Sequence, residues 1–133
     1  MLIVLIGLHV VAALWHQFVL KDGALLATNT SSLSLQDLGR DLARPERLVG
    51  IHFFNPVAKM PLVEVVAAEA TDPQAQAAAC AFVGRIGKLP LPVKSVPGFL
   101  VNAVLAPYML EAMRCVDEGL RPETIDTAMK AFG

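Results

Sequence analysis

Hydrophobic and polar positions change period several times along the chain. The first twenty residues, MLIVLIGLHVVAALWHQFVL, carry no charge, and the first charged residue is Lys21. After Gly23 the apolar run ALLATN (24–29) leads into Thr30, Ser31 and Ser32, the pattern of a strand that ends in a polar loop. Ser34 is placed to cap a short helix over residues 35–42, and Arg44-Pro45 breaks it. Two strand-like runs follow, RLVGIHFF (47–54) and PLVEVV (61–66), separated by Asn55-Pro56 and a short connection. Thr71-Asp72-Pro73 reads as a helix start, with Pro at the first helical position and Asp in the first turn. Its predicted apolar face is Ala75, Ala79, Phe82 and Ile86, and it stops near Gly87. LPLPVK (89–94) bears two prolines, which suits an edge strand. Beyond Val96-Pro97-Gly98 the period is helical from Phe99 to Val116, through Leu100, Val104, Tyr108, Ala112 and Cys115. Pro107 should kink that helix, Gly119 end it, and Pro122 open another.

Strand, helix, strand, strand, helix, strand, then only helices: this order predicts the C-terminal part of an α/β domain followed by the first helices of an all-α one. The expected segments are 1–23, an apolar N-terminal helix of separate origin; 24–95, part of a Rossmann-type domain; and 96–133, the start of a helical domain. Roughly 20 apolar residues can cross a bilayer, so residues 1–20 are a candidate for membrane contact, although a basic n-region and a cleavage site are lacking. His9 and His16 lie seven apart, on one helical face but roughly 10.5 Å apart along the axis, too far to share one metal ion. LHVVAALWHQFVLKDG resembles the last membrane helix of bacterial cytochrome b561-type proteins, whose histidines ligate haem b. Such a haem site needs partner helices that the chain does not contain.

Composition narrows the partners. With 11 Lys and Arg against 12 Asp and Glu, the net charge of −1 offers no basic surface for nucleic acid. Mean hydropathy is +0.55, and the uncharged front supplies much of it. Cys80 and Cys115 sit in apolar helical patterns without metal or redox spacing, as expected of reduced core thiols in a reducing, cytoplasmic setting. No metal site is expected.

His52 is the one histidine outside the apolar front, and Glu64 stands amid LVEVV, where a carboxylate needs a partner. If the two strands form an antiparallel hairpin centred near Ala58, residues whose numbers sum to 116 face each other, and His52 opposes Glu64. Directly opposed Cβ atoms lie about 4.5–5.5 Å apart, within reach of a carboxylate–imidazole contact. Such a carboxylate fixes the ring tautomer and leaves the other nitrogen as a general base. The ordinary alternatives are a structural histidine and a solvent-facing glutamate. Ser31, in a loop at the carboxyl end of a strand, and Asn102, in the first turns of the long helix, are further candidates. A capping serine and an exposed helix position are their ordinary counterparts.

Taken together, ATNTSSLS, GIHFFNPVAKMPLVEVV and VPGFLVNAVLAPYMLEA resemble the 3-hydroxyacyl-CoA dehydrogenase family, in its order and spacing, from about residue 24 to 133. The resemblance implies an NAD-binding Rossmann-type domain followed by a helical domain that closes the acyl-CoA site and forms the dimer. It implies that His52 is the catalytic histidine and Glu64 its partner. It assigns Ser31 to substrate and nicotinamide, Asn55 to the cofactor and Asn102 to the substrate. The expected function is NAD-dependent oxidation of the 3-hydroxyl of an acyl-CoA in fatty-acid β-oxidation. Alternatives from other classes are a membrane-anchored haem b fragment, from residues 1–23, and a non-catalytic remnant. One departure from the family pattern is clear: no G-x-G-x-x-G occurs, so the pyrophosphate-binding turn is missing. These 133 residues alone are therefore expected to bind NAD poorly and to turn over little substrate.

Overall fold

A computed structural model describes residues 24–30 and 33–132. The apolar front, the histidines within it and Ser31 lie outside the described residues. Two compact units divide the chain, one ending at Phe99 and the other beginning at Leu100.

Among the described residues, the first unit is built on a four-stranded mixed sheet in the order β1-β2-β3-β4. Strand β1 (Leu26–Thr28) runs parallel to β2 (Leu48–Phe53), β2 is antiparallel to β3 (Leu62–Ala67), and β3 is parallel to β4 (Leu89–Lys94). The hairpin register is the one the sum of 116 predicts, with His52 opposite Glu64. β4, with its two prolines, lies at the sheet edge.

Each parallel connection carries a helix, as parallel pairing requires. Between β1 and β2 the chain forms α1 (Leu35–Gly39) and a single 3₁₀ turn (Pro45–Arg47). Ser34 caps α1 through its hydroxyl, but the helix stops at Gly39 rather than at residue 42, because glycine is a poor helix residue. Between β3 and β4 runs α2 (Pro73–Arg85). Asp72 lies one place earlier than predicted: it is the cap itself, accepting from the Gln74 amide at 2.8 Å. The Thr71 hydroxyl accepts from the Ala68 amide at 2.9 Å and donates to the Leu48 carbonyl at 2.8 Å, fastening this turn to β2.

The pleat assigns side chains to two faces. Val49, Ile51, Val63 and Val65 point to α2, where Ala75, Ala79 and Val83 meet them. The buried stripe thus differs from the predicted one, and Phe82 and Ile86 are exposed. Small residues four apart let α2 lie close to the sheet, and that approach turns the bulkier Phe82 outward. On the opposite face Leu48 and Val66 pack against Leu35 of α1 and Phe99. His52 and Glu64 share this second face, since each is an even number of residues from Leu48 or Val66.

The second unit contains α3 (Val101–Asp117) and α4 (Pro122–Phe132). α3 starts two residues later than the apolar period suggests, because Gly98 and Phe99 are left-handed at φ +75° and +50°. Pro107 lies inside it, and Gly119, at φ +98°, follows its end. No residue of either helix is buried among the described residues, so the stripe through Val104 and Tyr108 is exposed. An α/β sheet of Rossmann type followed by helices is the predicted fold class.

Gly50 tests the packing of the second face. A Cβ there would lie 2.9 Å from the Val66 Cβ and 3.5 Å from Leu35 Cδ1. Gly50→Ala should lower stability by about 1–3 kcal/mol through overpacking. Urea denaturation reads this as a lower midpoint; an unchanged midpoint would mean the two strands have slack at this position.

Candidate active site

His52 is the fifth residue of β2, and Glu64 the third of β3. Their side chains meet across the ladder, with His52 Nδ1 2.8 Å from Glu64 Oε2. Glu64 has no exposed surface and His52 only 6%. A carboxylate in its ionised form can only accept, so a contact of that kind takes its hydrogen from Nδ1 and leaves Nε2 as the ring's other nitrogen. Two phenyl rings flank the imidazole edge-to-face. Phe54 lies at 4.7 Å between centroids with planes 61° apart, and Phe99 at 5.5 Å with planes 67° apart. A polar ring is thus bounded by a carboxylate and two phenyl rings.

The site occupies the carboxyl edge of the parallel β1–β2 pair. Asn29 follows β1, and its Oδ1 accepts from the Phe53 amide at 3.0 Å, binding the two strand ends together beside His52. Asn55 is exposed in the loop after β2, three residues beyond His52. Lys88 holds that loop from below: its Nζ donates to the Val57 carbonyl at 2.5 Å and to the Met60 carbonyl at 2.8 Å. Asn102 is the second residue of α3, half-buried within the second unit.

Of the sequence-derived candidates, His52 and Glu64 are brought together, and Asn55 stands in the loop that follows the His52 strand. Asn29, Phe54, Phe99 and Lys88 were not among them. Phe54 and Phe99 stand in the HFFNP and VPGF stretches, where they read as strand and helix positions. Nothing in the sequence signals Lys88. No group of three or more His, Cys, Asp or Glu residues able to hold a metal ion occurs among the described residues. Burial pushes the Cys80 thiol up, which disfavours the nucleophilic thiolate. No helix among the described residues is long and apolar enough to cross a membrane.

Comparison with known proteins decides the family. The family model for the 3-hydroxyacyl-CoA dehydrogenase NAD binding domain matches residues 10–96, and that for the C-terminal domain of the same family matches residues 98–133. The chain belongs to the 3-hydroxyacyl-CoA dehydrogenase family. The first match begins ahead of residue 24, where the motifs begin, and the cytochrome b561 resemblance gains no support from it. A fatty acid oxidation complex subunit alpha from Idiomarina loihiensis is 47% identical over 116 residues. That alignment covers 86% of this chain and 16% of the relative, so the chain spans about a sixth of its length. Two solved structures are similar. The (S)-3-hydroxybutyryl-CoA dehydrogenase PaaH1 from Ralstonia eutropha is 42% identical with a TM-score of 0.78, over 82% of this chain and 39% of that one. FadB2 from M. tuberculosis is 41% identical with the same TM-score, over 81% and 39%.

In this member of the family one lysine, Lys88, ties down two carbonyls of the loop that bears Asn55. Lys88→Met should speed amide hydrogen exchange at residues 57–60 about tenfold or slightly more, the worth of a charged hydrogen bond of about 1.5 kcal/mol. Protection in β2 and β3 should stay the same. Unchanged exchange in the loop would show that the lysine does not hold it.

Proposed function

We propose that this chain carries the proton-accepting half of an NAD-dependent 3-hydroxyacyl-CoA dehydrogenase acting in fatty-acid β-oxidation. The observation that carries the proposal is the buried 2.8 Å contact between His52 Nδ1 and Glu64 Oε2, at the carboxyl edge of parallel strands. Ligands of open α/β sheets bind at such edges.

The residues present suit one end of the cofactor and not the other. Asn29, His52 and Asn55 gather polar groups where the parallel strands end, and these suit a nicotinamide, with Asn55 and Ser31 its proposed contacts. The glycine turn that cradles a pyrophosphate has no counterpart in the sequence. NAD, when bound, supplies the acceptor for the hydride that leaves C3 of the substrate. His52 takes the 3-hydroxyl proton at Nε2, so that C3–OH becomes C3=O with hydride and proton both accounted for. Glu64 holds the ring by Nδ1 and stabilises the imidazolium that results. Ser31 and Asn102 hydrogen-bond the substrate oxygens and orient C3. Acyl-CoA is the proposed partner, with residues 24–95 serving the cofactor and residues 96–133 beginning the helical domain through which two subunits meet. The cytoplasm is the proposed compartment.

The 133 residues alone should show no saturable oxidation of 3-hydroxybutyryl-CoA at ordinary NAD concentrations. The positive test exchanges residues 24–133 for the matching segment of the Ralstonia eutropha enzyme. That chimera should oxidise 3-hydroxybutyryl-CoA with NAD, and His52→Gln within it should lower kcat about 10²–10⁴-fold, the usual worth of a general base. A folded chimera without activity, or an H52Q form that keeps its kcat, would overturn the proposal.

A further inference from the structure

Phe99 is the one non-glycine residue with positive φ among the described residues, at +50°. For a large L side chain this backbone region is sterically disfavoured, and it persists only where the surroundings impose it. The turn that imposes it is well tied. Gly98 precedes it at φ +75°, the Phe99 amide donates to the Val96 carbonyl at 2.9 Å, and Ser95 anchors the turn to α1. The Ser95 hydroxyl accepts from the Leu35 amide at 3.2 Å and donates to Gln36 Oε1 at 2.9 Å. The outcome is a ring only 3% exposed, packed with Leu35, Leu48 and Val66 and set edge-on to the His52 imidazole.

We propose that Phe99 is a positioning residue for His52, its strained backbone serving to press the phenyl ring against the imidazole in a T-shaped contact. With His52 taken as the proton acceptor proposed above, the need for such a device is plain. The bond from Nδ1 to Glu64 fixes one ring atom but permits rocking about the Nδ1···Oε2 line. Phe54 at 61° and Phe99 at 67° bear on the ring and restrain that motion, so Nε2 keeps a fixed direction. A proton acceptor must be held within about 0.5 Å and 10–20° of its productive pose, and a single hydrogen bond does not achieve this. If Phe99 were only core filler, an aliphatic residue of similar size would serve equally well and no strained backbone would be required.

The test uses the full 133-residue chain with ¹⁵N-labelled histidine, the signals of His9 and His16 being identified by substitution to Gln. In the unaltered chain the Phe99 ring protons should show an Overhauser contact with the His52 ring protons. Phe99→Leu should speed solvent exchange of the His52 Nδ1–H at least tenfold beyond any change in the protection of β2 and β3 amides, and Phe99→Tyr should restore it to within twofold. Exchange at Nδ1–H that tracks the backbone amides in F99L would overturn the proposal, and so would absence of the ring-to-ring contact in the unaltered chain, a result that requires no variant to fold. These signals report ring geometry alone. The proposed dehydrogenase activity can therefore fail while they hold, and they can fail while it holds.

Discussion

A carboxylate with no solvent exposure sits between Val63 and Val65 in the sheet, and the rest of the first unit is arranged around that constraint. Desolvating an ionised group is tolerable only with good hydrogen-bonding geometry, and removing one partner of a buried pair typically costs about 3–5 kcal/mol. The antiparallel register supplies that geometry: with residue numbers summing to 116, the imidazole lies directly across the ladder. A slip of one residue would turn either group to the opposite face and bring it against the apolar side chains of α2. The valines that make the strands cohere and the hydrogen-bonded pair that makes them useful therefore fix the same register.

The two faces divide the labour. One has an apolar centre, where α2 lies on Val49, Ile51, Val63 and Val65 through Ala75, Ala79 and Val83. The other carries the polar pair, covered by Leu35 and Phe99 and opened by Gly50, which leaves room for Val66 and Leu35. The chemistry gathers at one end of that second face, where β1 and β2 run parallel and finish together under the Asn29 side chain. Membership of the 3-hydroxyacyl-CoA dehydrogenase family fits this layout, since both the NAD binding domain model and the C-terminal domain model find their segments in the chain.

Much of this was legible in the residues themselves. A hairpin taken as centred near Ala58 gives the register that the structure has, and the out-of-place glutamate pointed to its partner. The helix over α2 was legible too, but its inward face was not. Periodicity marks apolar positions without saying which of them can approach a sheet, and alanine outcompetes phenylalanine where the approach is close. The start of α3 was misplaced for a related reason: Phe99 continues an apolar helical period, while its backbone belongs to the Pro-Gly turn, left-handed at φ +50°. Lys88 and Asn29 act on backbone carbonyls and amides distant in sequence, and such contacts leave no local pattern to detect.

The buried pair is tested most directly by a double-mutant cycle on folding stability, comparing His52→Ala, Glu64→Ala and the double variant by chemical denaturation. Residues in direct contact couple by about 0.5–3 kcal/mol, whereas independent sites add to within about 0.3–0.5 kcal/mol. A coupling above about 1 kcal/mol is the result this account predicts. Additive losses from the two single variants would contradict it, because the imidazole and the carboxylate would then not be holding each other.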